Sequence, residues 1–258
     1  MNKNPKSKTS WEPVKNWYAG IVGKEGHYYH QHVIIPGVLK IMKEEGLSGN
    51  TSLLDLACGN GVLSQYLPKD AEYLGVDASP GLIKEARKQD QNPKHRYDIA
   101  DISKPLRLEK NNFDFATFIL AAQNIDPIEP AFKNAYHYLK PGGCFIIVLN
   151  HPAFRIPRQS SWQIDTQNKI QYRRVDRYLS SMKIPIQAHP SKGVQSASTF
   201  TFHHSLSYYS KALKEAGFVI NLIDEWCSDK ESTGKAAAME NRSRAEFPLF
   251  MTICALKQ

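Results

Sequence analysis

Leu53-Leu54-Asp55-Leu56-Ala57-Cys58-Gly59-Asn60-Gly61 is an apolar run that breaks into a Gly-x-Gly turn, and its reading decides the fold. Glycines at 59 and 61 let the backbone approach a ligand closely. Free N–H groups where a helix opens favour a carboxylate or phosphate. A dinucleotide-binding turn would carry a third glycine at position 64, where Ser64 stands. The next apolar run, Tyr73-Leu74-Gly75-Val76-Asp77, ends in an acid sixteen residues after Gly61. An acid at the tip of a second parallel strand can accept both hydroxyls of a ribose.

Outward from these two elements, short apolar runs alternate with amphipathic stretches, the pattern of a doubly wound α/β sheet with helices on both faces. Strands are expected at Ser52 to Ala57, Glu72 to Val76, His95 to Ile99, Phe113 to Ile119 and Gly143 to Leu149. Helices are expected at Gly61 to Leu67, Pro80 to Lys88 and Pro127 to Leu139, the last closed by Lys-Pro-Gly-Gly. A further helix, Ser205 to Ala216, is stopped at Gly217, and strands follow at Phe218 to Glu225 and Pro248 to Leu256. Two regions break the rhythm. Residues 1–50 hold a basic tail, an aromatic-rich stretch and a helix whose Val38, Ile41 and Met42 share a face, which together read as a cap. Residues 150–204 hold loops and two β-like runs, Lys169 to Tyr178 and Ser198 to His203, where an α/β unit needs only a short connection. Long insertions of this kind usually serve a site.

Asp101-Ile102 after the third strand, Asn112-Phe113-Asp114 opening the fourth, and Leu139-Lys140-Pro141-Gly142-Gly143 before the fifth complete an ordered set with the first two elements. In that order the sequence resembles the class I S-adenosylmethionine-dependent methyltransferases, from about Trp17 to the C-terminus. The resemblance implies a Rossmann-like, doubly wound, seven-stranded sheet whose last strand inserts antiparallel, with residues 51–258 as the cofactor-binding domain. By resemblance the loop Asp55 to Gly61, including Ala57, Cys58 and Gly59, would hold the methionyl part of S-adenosylmethionine. Asp77 would bind the ribose diol and Ala78 would lie beside the adenine. Asp101 would accept from the adenine amino group, the Ile102 N–H would meet the ring, and the Leu120 carbonyl would meet the cofactor's amino group. Asp98, three residues before Asp101, is the competing acid in that loop. Cys58 reads as turn packing, with no sign of a reactive thiolate.

Methyl transfer from a sulfonium depends on in-line approach more than on acid–base chemistry, so the acceptor chamber carries the specificity. After the fourth strand the chain reads Leu120-Ala121-Ala122-Gln123-Asn124-Ile125, which lacks the Asn/Asp-Pro-Pro-aromatic loop of enzymes that methylate adenine or glutamine amino groups. The second half, with Thr199-Phe200-Thr201-Phe202-His203-His204 before a helix, looks like quinone- and natural-product-modifying methyltransferases. That likeness makes the cap and the insertion the roof of a small-molecule acceptor site. Its candidates are Tyr18, His27, Tyr28, Tyr29 and His30 from the cap, Arg155, Arg158 and Trp162 from the insertion, and Gln123 and Asn124 at the sheet edge. His151, directly after a strand's carboxyl end, is the candidate base. The segment Ser228 to Glu246 reads either as a lid or as a solvated connection. An RNA methyltransferase and a non-catalytic cofactor-binding protein stand as alternatives.

The 258 residues are 41% hydrophobic and 22% charged, with a mean hydropathy of −0.45, which fits a globular chain and not a disordered one. Apolar runs such as Phe145 to Leu149 are too short to cross a bilayer, and no secretory signal opens the chain, so a cytoplasmic protein without a membrane partner is expected. The four cysteines show no metal-ligating spacing, so no metal and a reduced interior are expected. The net charge of +8 is uneven: +3 in residues 1–10, −1 in 11–149, +6 in 150–205 and 0 in 206–258. The cofactor domain is thus near neutral while the expected roof is basic, which points to an acceptor that is anionic, and the likeness to quinone-modifying enzymes implies one that is aromatic. Nucleic acid is the weaker partner, because no RNA-binding signature is appended. Nothing in the sequence speaks to oligomeric state.

Overall fold

The computed structural model describes residues 12, 20, 23–187 and 198–258, so the basic tail, Trp11, Trp17 and Tyr18 lie outside the described residues. Every residue of Ser52–Leu56 (β1) is buried. Glu72–Asp77 (β2) lies parallel on one side of it and Phe113–Ile119 (β4) on the other. His95–Ile99 (β3) extends the sheet beyond β2, and Leu139–Asn150 (β5) lies parallel to β4. Phe250–Lys257 (β11) inserts antiparallel between β5 and Phe218–Trp226 (β10), giving the order β10-β11-β5-β4-β1-β2-β3. This is the Rossmann-like, seven-stranded sheet with one antiparallel strand. Its order reverses between β1 and β4, and the carboxyl ends of those strands frame the crevice where such sheets take ligands.

Strand periodicity feeds two separate cores. Leu54, Phe145, Ile147 and Leu149 face a cluster with Phe118 and Phe132, whereas Leu53, Ile146 and Val148 face another with Val38, Met42 and Ile83. The first is covered by Glu129–Tyr138 (α3) and Leu206–Ala216 (α4), the second by Ile35–Glu44 (α1) and Pro80–Gln89 (α2). Each fully buried Leu, Ile or Phe contributes roughly 1.5–3 kcal/mol, so alternation along β1 and β5 clamps both layers to the sheet. Helix ends follow local chemistry: Ser79 caps α2 by accepting from the Leu82 N–H at 3.3 Å, and α4 stops at Gly217 with φ 101°.

Three departures from the sequence expectations affect the site. The helix expected at Gly61 to Leu67 shrinks to a 3₁₀ turn, Leu63–Tyr66, because Gly61 sits at φ 78° and Leu67 turns extended ahead of Pro68. The insertion forms two antiparallel ribbons. Ser160–Asp165 (β6) pairs Ile170–Val175 (β7), and Met182–Gln187 (β8) pairs Ser198–His203 (β9). The segment after β10 holds a helix, Ala237–Glu246 (α5), docked on β7 by Ser243 Oγ donating to the Gln171 carbonyl at 2.9 Å. No helix among the described residues is long and apolar enough to cross a membrane.

Candidate functional site

At the reversal of strand order lies a cavity of about 670 Å³, within the range of small-molecule sites. Of the residues singled out for the cofactor, Ala57, Gly59, Asp77, Ala78, Asp101, Ile102 and Leu120 line it. Ala57 at the tip of β1 and Leu120 at the tip of β4 both adopt left-handed backbone, φ 56° and 51°. Such conformations cost an L-residue on the order of 1–3 kcal/mol and concentrate where a chain is bent around a ligand. Asp77 Oδ2 accepts from the Gly59 N–H at 3.0 Å and Oδ1 from the Ser79 N–H at 2.8 Å. Burial pushes the Asp77 carboxyl upward, opposed by those two backbone donors.

Asp55, Cys58 and Gly61 lie behind the wall and do not line the cavity. Asp55 is a strut. It accepts from Tyr73 Oη on β2 and Thr117 Oγ1 on β4, each at 2.7 Å, and burial raises its carboxyl to about 6 despite both hydroxyl donors. A side chain at Gly61 would meet the Tyr97 hydroxyl at 2.8 Å. Burial pushes the Cys58 thiol up, in keeping with turn packing. Asp101 is half in solvent, accepting from Ser103 Oγ at 2.6 Å and pairing with Lys104 at 3.0 Å. Burial works to raise its carboxyl, and these partners outweigh burial and hold it low. Asp98 pairs with Arg87 and stays out of the cavity.

The roof brings His27, Tyr29 and His30 from the cap together with Arg155 of the insertion, and Gln123 and Asn124 stand at the sheet edge. His30 is 6% exposed, its Nδ1 is buried without a hydrogen-bond partner, and burial with the neighbouring His27 drives its pKa to about 3. The His27 and His30 rings lie 4.1 Å apart. Burial also lowers His27, as do Arg155 and Lys230, against a backbone hydrogen bond that raises it. Among the described residues Arg155 pairs with no carboxylate; its guanidinium lies 5.6 Å from the Phe250 ring centroid.

The expectation of a base at His151 is corrected by its surroundings. His151 does not line the cavity. Its Nδ1 accepts from the Ala153 and Phe154 N–H groups at 3.1 and 3.2 Å, which leaves the proton on Nε2, donated to Glu225 Oε1 at 2.6 Å. Both nitrogens are occupied, and burial lowers its pKa against the pull of Glu225. Arg158 is likewise turned away, exposed and reaching the Pro185 carbonyl at 3.4 Å. Tyr28 is on the surface, donating to Asp229 at 3.0 Å, and Trp162 lines a second, smaller cavity.

A family model described as a methyltransferase domain matches residues 54–147. A demethylmenaquinone methyltransferase of Leptospira interrogans is 28% identical over 110 residues, which is 40% of this chain and 44% of that protein, so the chain spans under half the length of that relative. The crystal structure of an S-adenosylmethionine-dependent methyltransferase from Mesorhizobium loti is similar at a TM-score of 0.65 and 25% identity, over 84% of this chain and 96% of that one. The fold is shared at 16% identity and TM-score 0.57 with the glycopeptide N-methyltransferase MtfA in complex with S-adenosylmethionine, over 87% and 94% of the two chains. Residues 54–147 thus match a methyltransferase domain, in a chain whose fold is similar to that of S-adenosylmethionine-dependent methyltransferases.

The lining fits the cofactor of a methyltransferase domain. Asp77 presents a carboxylate at the β2 tip, Ala57, Ala78, Leu82 and Ile102 offer a slot of mostly apolar character, and Gln123 Oε1 is buried without a partner. The Leu120 carbonyl is taken by Gln123 Nε2 at 2.8 Å and Asn124 Nδ2 at 3.3 Å, so a ligand amine there must displace a side-chain amide. The sequence reading of this methyltransferase domain missed Glu12, Asn150, Asp126, Ile186, Thr201 and Phe250, which also line the cavity. Asn150 had a signal: it ends β5, and strand alternation sends it inward while its successor His151 turns away. Phe250 pairs with Asn150 in register, a contact that only sheet topology reveals.

Proposed function

We propose that the protein transfers the methyl group of S-adenosylmethionine to a small acceptor that carries an anionic group, with Asp77 holding the ribose and Ala78, Asp101 and Ile102 around the adenine. The observation that carries this is Arg155, drawn into the cavity with no carboxylate partner among the described residues. A guanidinium in such a position is most favourable when a ligand supplies the missing anion. When bound, S-adenosylmethionine presents an activated methyl to a lone pair brought in line with its sulfonium. The roof then needs to orient the acceptor and exclude water. His30, neutral throughout the physiological range, can accept a hydrogen bond from an acceptor hydroxyl or amine at its unpartnered Nδ1. An open cavity supports catalysis over a purely cofactor-binding role.

Transfer of labelled methyl to a panel of hydroxylated aromatic carboxylates tests the reading. Arg155→Met is expected to raise the KM of an accepted compound roughly 30- to 100-fold, the value of a lost charge-assisted hydrogen bond, with S-adenosylhomocysteine affinity unchanged. Arg158→Met should move KM less than about twofold. Equal effects of the two, or a preference for uncharged acceptors, would overturn it. RNA retained through purification and released steeply by salt would point to the nucleic-acid alternative.

A further inference from the structure

Behind Arg155 lies a second cavity of about 210 Å³ that shares Tyr29 and Arg155 with the first and is lined by Phe154, Trp162, Arg173 and Phe247. Its walls are aromatic and interlocked: Phe247 stands edge-on to both Phe154 and Trp162 at 5.3 Å. A cavity of about 150 Å³ is enough to admit benzene, so one six-membered ring with a small substituent fits the space. Two cations face this cavity. Arg173 stacks over Trp162 at 5.2 Å, donates from Nε to the Phe154 carbonyl at 2.7 Å and from Nη2 to Ser160 Oγ at 2.9 Å. Those bonds fix its plane and leave Nη1 without a protein acceptor among the described residues. Neither arginine pairs with a carboxylate there, and Glu225, whose partner His151 stacks on Phe154, is engaged by that histidine. Burial lowers the pKa of both guanidiniums, and the charge of Arg155 lowers that of Arg173 further. Like charges crowded in an aromatic enclosure are unfavourable until an anion joins them.

We infer that this second cavity is the anchor for an aromatic carboxylate substituent of the acceptor, its ring held by Trp162, Phe154 and Phe247 and its anion bridged between Arg155 and Arg173. The inference rests on the proposed methyl transfer. Arg155 links the two chambers, so the acceptor's charge is bound at a distance from the atom that is methylated. Such separation lets binding energy from a non-reacting part orient the reacting one.

Benzoate, benzyl alcohol and inorganic phosphate serve as probes on the full chain, read by tryptophan fluorescence, with S-adenosylhomocysteine binding measured on the same samples. Benzoate is expected to give a saturable change, at least tenfold tighter than benzyl alcohol or phosphate, that disappears in Trp162→Phe. Arg173→Met should weaken benzoate tenfold or more while leaving S-adenosylhomocysteine affinity as it was. Equal affinity for benzoate and benzyl alcohol overturns the anion anchor without any variant, which covers the case in which Arg173→Met fails to fold. Phosphate binding as tightly as benzoate marks a free-anion site and overturns the aromatic part, and a signal that survives Trp162→Phe places binding elsewhere and overturns the location. Loss of benzoate binding alone sinks this inference, whereas absence of S-adenosylhomocysteine binding sinks the functional reading beneath it.

Discussion

The floor and the roof of the cavity are built on opposite principles. The floor, at the tips of β1, β2 and β4, is mostly backbone and short side chains whose polar atoms, Gln123 Oε1 excepted, satisfy one another: Asp77 takes the Gly59 and Ser79 N–H groups, and the Leu120 carbonyl is covered by two amides. The roof is made of long side chains from remote segments, and it leaves Arg155 without a counterion and His30 Nδ1 without a donor. A self-satisfied surface is rigid and ready for one ligand, as a cofactor site should be. A surface with unspent charge is defined by whatever completes it, as an acceptor site should be.

The largest effect that would break this contrast is at the floor. Asp77→Ala removes the carboxylate that orders the Gly59 turn and faces the ligand, so calorimetric titration with S-adenosylhomocysteine should show affinity falling about 100-fold, or near 3 kcal/mol. An unaffected variant would mean that the floor does not bind through its β2 acid. At the roof, His30 makes an acid-stability prediction. Its folded pKa near 3 lies below the ordinary 6.5, so the unfolded chain binds a proton first as pH falls. Its stabilising contribution is whole above about pH 6.5 and is lost at up to about 1.4 kcal/mol per pH unit on the way down to 3. His30→Gln should flatten the slope of unfolding free energy between pH 6.5 and 4 by that amount. Asp55, raised to about 6, works in the reverse sense, since folding holds its proton and stability falls as pH rises from 3.8 to 6. An unchanged slope in His30→Gln would show that the residue is solvated in solution.

How far each half could be read from sequence follows from the same difference. The floor is contiguous: Asp55 to Gly61, Asp77-Ala78 and Asp101-Ile102 are short words at strand tips, and their order alone located them. Even so, the words hid which letters face the ligand, because Asp55, Cys58 and Gly61 support the wall from behind. Strands β1, β2, β4 and β5 are legible because packing into two cores writes itself as apolar runs, whereas β3 buries only Tyr97. By contrast β6 is a half-exposed strand with two apolar residues and α5 buries only Ser243, so neither carries a strong pattern, while β8 alternates at Met182, Ile184 and Ile186 but holds Pro185, which argues against a strand. Roof residues such as Phe250 and Arg155 meet only through β11 inserting beside β5. That pairing spans a hundred residues of sequence and has no local mark.

His151 sharpens the comparison from the side of error. The rule that ligands gather at strand carboxyl ends is sound, and the residue that obeys it here is Asn150, one position before His151. With both nitrogens bound to protein, His151 joins the end of β5 to Glu225 of β10. His151→Asn is therefore expected to cost about 1–2 kcal/mol of stability in denaturant melts, with no displacement of the pH profile of methyl transfer. A profile whose limb vanishes in this variant would restore the histidine to the chemistry.

The smallest expected effect tests whether the floor is uniform. Asp101 and Asp77 both line the cavity and both are acids at strand ends, yet Asp101 is tied to Ser103 and Lys104 and faces solvent, whereas Asp77 is enclosed and held only by backbone N–H groups. Water and a mobile lysine compete for whatever Asp101 offers to an adenine, and an exposed polar contact of that kind is worth well under about 1 kcal/mol. Asp101→Asn should thus weaken S-adenosylhomocysteine by no more than about threefold, and raising salt should shrink even that difference. A loss approaching that of Asp77→Ala would mean that the bound cofactor strips Lys104 from Asp101 and encloses it. The floor would then be completed by its ligand as the roof is, and the division between a satisfied surface and an unsatisfied one would fail at the adenine end.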